Sequence, residues 1–129
     1  ERKNVIKHLK ENNKGKGLAQ AYNNLANAYI EMADFEEAKV WLKKALIKYE
    51  KENSISGKVK IFNNFGEIYL IENNLEKAES YLLNAQRFNK DFVYQFSALH
   101  TQISLYQLYQ KKENWNKAFS LYFKPSNRK

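Results

Sequence analysis

The chain has 129 residues, 43% hydrophobic and 28% charged, which is enough for one domain with its own core. It has no cysteine, which excludes disulfides and thiolate metal sites, and no apolar run approaches the roughly 18–20 residues that span a bilayer. The formal net charge of +8 is nearly all lysine, with Arg2, Arg87 and Arg128 the only arginines; with no clustered basic stripe, this argues against a nucleic-acid partner.

Taken in chain order, residues 1–12 carry Val5, Ile6 and Leu9 at helical spacing, forty residues before Ala45, Leu46 and Tyr49. This predicts the second helix of a preceding helix pair, and so a chain cut from a longer array. Residues 16–51 hold two stripes: Tyr22, Leu25, Ala26 and Tyr29, then Phe35, Ala38, Leu42 and Ala45. The i, i+3, i+4, i+7 spacing is that of one buried helical face. Residues 56–90 repeat the arrangement with Phe62, Phe65, Gly66 and Tyr69, then Leu75, Ala78, Leu82 and Ala85. Residues 91–124 form a divergent third copy with Leu105, Tyr109, Trp115, Ala118 and Tyr122, and with an added apolar run at Phe92, Phe96, Leu99 and Ile103. Its first helix is expected to start near Asp91. Pro125 and residues 126–129 form a polar tail.

The period is forty. Ala38, Ala78 and Ala118 keep that step, as do Tyr29, Tyr69 and Tyr109, and three further columns. Each copy therefore reads as helix, tight turn, helix. The turns fall at Ala33 with Asp34 and at Asn73 with Asn74, where Asp34 and Asn74 can cap the helix that follows. Glu36, Glu37, Glu76 and Glu79, placed in first turns, would complement the helix dipole.

These residues resemble the tetratricopeptide repeat, whose pattern is an aromatic, Leu-Gly, Tyr, and then Ala, an apolar residue and Ala. The period of 40 exceeds the family's usual 34, the closing proline is replaced by Glu50 and Lys90, and the third copy has Gln102 and Tyr106 where the pattern has an aromatic and a small residue. The resemblance implies an all-α fold: a right-handed superhelix of stacked antiparallel helix pairs. It also implies a non-enzymatic scaffold that receives a protein or peptide on a concave face lined by first helices.

The residues themselves offer no catalytic constellation, no phosphate loop and no cofactor signature. His8 and His100 lack metal-ligand partners at helical spacing, so no metal site is expected. Trp41 and Tyr81 share a column expected to pack on the next repeat.

Turning away from the buried stripe gives the expected groove: Gln20, Asn23, Asn27 and Ile30; Lys60, Asn63, Glu67 and Leu70; His100, Ile103 and Gln107. Asn24 and Asn64 are expected at its edge. The recurring pair Asn23-Asn24 and Asn63-Asn64 admits two readings. Amides that donate and accept can hold a peptide backbone, or they can bond across neighbouring helices. The carboxylate clamp of some family members needs basic residues where this chain has Asn23, His100 and Ser104, which speaks against it. The Lys/Asn-rich composition and the long period resemble bacterial regulators, so a sensory or adaptor segment of a larger bacterial regulatory protein is the leading expectation. Self-association through exposed repeat ends and action on a response regulator are the alternatives. A cytoplasmic setting is favoured.

Overall fold

The computed structural model describes residues 17–90 and 95–122. The helix expected over residues 1–12, the start near Asp91 and the tail from Pro125 lie outside the described residues. Among the described residues six helices follow one another: α1 Leu18–Glu31, α2 Phe35–Lys51, α3 Ile55–Ile71, α4 Leu75–Phe88, α5 Gln95–Lys111 and α6 Trp115–Tyr122. They pair as α1 with α2, α3 with α4 and α5 with α6.

Four turns share one solution. Ala33, Asn53, Asn73 and Glu113 all take positive φ, between 55° and 62°. In each, the next residue donates its N–H five residues back, to the carbonyl of Tyr29, Tyr49, Tyr69 or Tyr109, at 2.8–2.9 Å. This is the Schellman arrangement, which satisfies carbonyls that a helix end leaves open. The residue after the left-handed position then caps the next helix. The side chains of Asp34, Ser54, Asn74 and Asn114 accept from the N–H of Glu37, Gly57, Lys77 and Lys117. Asp34 and Asn74 thus act as the sequence suggests.

The core follows the two stripes of each copy. Leu42, Phe65, Ile68, Leu82, Leu105 and Leu108 are at most 1% exposed, and burying each such side chain contributes about 1.5–3 kcal/mol. Gly66 lets α3 lie against Leu82: a Cβ there would come within 2.5 Å of the Leu82 side chain. Gly57 does the same against the Tyr49 ring, at 2.2 Å. Tyr106 takes the place of Gly66 in the third copy and stays half-buried. Trp41 and Tyr81 each meet aromatic rings of their own pairs. Trp41 lies 5.5 Å from Tyr22, and Tyr81 lies 4.7 Å from Phe65 and 5.7 Å from Tyr69.

Curvature follows from which helices touch. Among the described residues, α1 meets α3 and α3 meets α5, whereas α2, α4 and α6 do not meet one another. First helices therefore line the inner side and second helices the outer. This is a helical solenoid, quasi-one-dimensional, in which each pair leans on its neighbours.

Candidate interaction surface

The inner side is built from α1, α3 and α5, and the forty-residue register sets their side chains in rows. One row is Gln20, Lys60 and His100; another is Asn27, Glu67 and Gln107. Gln20, Asn24, Asn27, Lys60 and Gln107 are exposed, and Ile30, Glu67 and His100 are half-buried. Within α1, the Gln20 amide donates to Asn24 Oδ1 at 3.0 Å, and its Oε1 accepts from the Tyr49 hydroxyl at 3.4 Å. Burial raises the Tyr49 pKa, as does the Glu52 charge, so this hydroxyl keeps its proton. Between α3 and α5, Glu67 Oε1 lies 3.6 Å from His100 Nε2. Ile103 is 49% exposed and, with Leu99, Gln102, Tyr106 and Leu121, lines a mostly apolar cleft of about 310 Å³ between α5 and α6.

Four expected groove residues are placed otherwise. Asn63 is 1% exposed, Asn23 4%, Leu70 4% and Asn64 8%. The physical reason is the contact between consecutive first helices. Positions 23, 63 and 64 sit on that contact, where water is excluded and an amide must find protein partners. The Asn64 amide donates to Asn23 Oδ1 at 2.8 Å and to Asn27 Oδ1 at 3.2 Å, tying α3 to α1. The Asn63 amide donates to the Ser97 carbonyl at 3.0 Å, and its Oδ1 accepts from the Thr101 hydroxyl at 2.6 Å, tying α3 to α5. The single Thr101 proton has a second acceptor within reach, the Ser97 carbonyl at 2.9 Å. Among the described residues, no buried side-chain polar atom lacks a partner. Asn23, Asn63 and Asn64 thus bond across neighbouring helices, whereas Asn24 accepts from Gln20 within α1, and the exposed amides of the inner face are Gln20, Asn24, Asn27 and Gln107.

Residues that the sequence reading passed over belong to the junctions between pairs. Lys39 on α2 reaches Glu72 beyond α3 at 2.9 Å and Glu36 at 3.3 Å. Burial works against the Lys39 charge, but the bonds to Glu72 and Glu36 outweigh it, and its pKa is raised. Glu79 on α4 lies past the first turn, so it does not serve the helix dipole as expected. It accepts from Lys112 at 2.8 Å and from the Tyr109 hydroxyl at 2.7 Å. The Lys112 bond, opposed by burial and aided by Tyr109, holds the Glu79 pKa below the usual carboxylate value. Burial first, and then the bond to Glu79, push the Tyr109 pKa well up. The signal was in the register: Lys39 aligns with Glu79 and Glu72 with Lys112, opposite charges at equivalent places.

No described helix is long and apolar enough to cross a membrane. Two family models, each described as a tetratricopeptide repeat, match residues 18–54 and 59–92. No curated protein matches the chain.

Proposed function

The chain belongs to the tetratricopeptide repeat family, whose repeats serve as non-catalytic scaffolds for protein–protein interaction, and from that premise we propose that it binds a protein segment in extended form along its inner face. The supporting observation is a surface of exposed amides and mixed charges with one apolar cleft. Gln20, Asn24, Asn27 and Gln107 can donate to and accept from a peptide backbone. Lys60 and Glu67 supply charge, His100 supplies an imidazole beside Glu67, and Ile103 heads the cleft that takes an apolar side chain. The buried Asn23, Asn63, Asn64 and Leu70 shape this surface from behind and do not touch the ligand. A short peptide would bind with micromolar affinity, about −8 kcal/mol.

The test is selection from a displayed random-peptide library, followed by fluorescence polarisation. Lys60→Glu combined with Gln107→Ala should weaken a selected peptide at least about tenfold, a loss of about 1.4 kcal/mol. Unchanged affinity in that double variant refutes the site. The composition, rich in lysine and asparagine, supports placing the segment in a larger bacterial regulatory protein as its sensory or adaptor part.

A second reading has an observation of its own. On α5 and α6, Phe96 is 92% exposed, Leu99 55%, Trp115 60% and Phe119 63%, and exposed apolar faces of this kind support association. Light scattering that finds a strict monomer at high concentration removes it.

A further inference from the structure

The two junctions between helix pairs use the same places with opposite charge. At the first, Lys39 on the second helix of one pair meets Glu72 at the end of the next pair's first helix, 2.9 Å apart. At the second, forty residues on, Glu79 meets Lys112 at 2.8 Å. All four side chains are 16–28% exposed, shielded enough for like charges to matter. The tyrosine at each junction adapts to the sign. Lys39 Nζ sits 4.8 Å over the Tyr69 ring, whereas Tyr109 donates its hydroxyl to Glu79.

The polar ties behind the ion pairs differ as well. Asn63 needs the Ser97 carbonyl and the Thr101 hydroxyl of α5. At the equivalent place on α3 stands Ile61, which has no hydroxyl to offer. Asn64 reaches back to Asn23 and Asn27, and its equivalent on α5 is the shorter Ser104.

We propose that the reversed polarity of the two junctions encodes the stacking order of the repeats and opposes out-of-order stacking between copies of this chain. The pairing rules follow from charge alone. Lys39 attracts Glu72, and Glu79 attracts Lys112. A first pair set on a third pair would bring Lys39 to Lys112. A second pair set on the second pair of another copy would bring Glu79 to Glu72 and Asn63 to Ile61. Each wrong order exchanges an attraction for a repulsion, and the second also buries an amide without its hydroxyl partner. Near-identical repeats with uniform junctions would lack this discrimination whenever a junction opens during folding. The inference does not rest on the peptide-binding reading.

The experiment makes the polarity uniform while keeping both ion pairs. The double variant Glu79→Lys, Lys112→Glu gives the second junction the chemistry of the first, including a lysine able to sit over Tyr109. The double variant Lys39→Glu, Glu72→Lys achieves uniformity from the other side and leaves Tyr109 with Glu79. Each full chain is refolded from denaturant at high protein concentration and low salt, then sized by chromatography with light scattering. Both double variants should show roughly five- to thirtyfold more associated material than the natural chain, the ratio expected when one exposed-to-half-buried charge contact changes sign. At about 1 M salt the natural chain should approach the variants. The proposal is overturned if a folded uniform-polarity variant refolds to the same distribution as the natural chain, or if only the Glu79 and Lys112 variant differs. The latter would assign the effect to the lost Tyr109 bond.

Discussion

Replacing Asn63 by alanine separates a structural tie from a ligand contact. The side chain is 1% exposed and makes two bonds, one to the Ser97 carbonyl and one from the Thr101 hydroxyl. Truncation removes both, each worth about 0.5–1.5 kcal/mol net. The Thr101 hydroxyl is not orphaned, because its proton can turn to the Ser97 carbonyl at 2.9 Å. That fallback limits the loss to about 1.5–3 kcal/mol, with the upper end including the small void left in the α3–α5 contact. Asn64→Ala acts at the other junction. It strips Asn23 Oδ1, in a residue 4% exposed, of the bond at 2.8 Å, while Asn27 at the surface turns to water. An acceptor left buried without a partner costs about 1–3 kcal/mol, so the two losses should be similar in size and opposite in location. Urea unfolding of each variant, with the double variant completing a cycle, is the assay. The two residues are adjacent in α3, so the cycle reads how far the two junctions are coupled. Loss of peptide binding with stability unchanged would refute the reasoning, because it would return Asn63 to the groove.

Further outcomes follow from the turns, the helix contact and the junction charges. Ala33→Gly should stabilise the chain by about 0.5–1 kcal/mol, because alanine at φ 60° carries a left-handed penalty that glycine does not; a lower melting temperature contradicts this. Gly66→Ala should cost about 1–3 kcal/mol through collision with Leu82, and the companion change Leu82→Ala should not restore the loss, since it opens a cavity of its own. Stability should also depend on pH at both extremes. Glu79 has a depressed pKa, so its contribution is present above the unfolded glutamate value of about 4.3 and is lost as pH falls through the folded value. Lys112 and Tyr109 have raised values, so theirs is complete below the unfolded values of about 10 and is lost as pH rises through the folded ones. Lys112→Met should flatten the acid limb in a pH series of urea midpoints.

The repeat architecture was legible because periodicity and capping both act locally. Forty-residue columns at Ala38, Ala78 and Ala118 place a buried small residue in each second helix, and Asp34 and Asn74 sit where a helix must start. The inner face was legible only in part. Helical spacing gives the angle of a side chain about its own axis, which sufficed for Gln20, Lys60 and Gln107. It does not say which neighbour covers that angle. Asn23 and Asn63 bond into the adjacent first helix, whose approach depends on how the pairs stack, and Leu70 is buried with them. Asn64 shows the same limit from the other side, because its partners lie 37 and 41 residues away. The junction charges were present in the register as well. Their meaning depended on learning that position 39 of one pair faces position 72 of the next.

The most direct test of peptide recognition on the inner face is amide chemical-shift mapping of the chain on titration with a selected peptide. Binding along that face predicts shifts concentrated at Gln20, Asn24, Asn27, Lys60, Glu67, His100 and Gln107, with the outer residues Lys43 and Leu83 unmoved. Shifts centred on α2 and α4, or confined to the apolar end at Trp115 and Phe119, would contradict it.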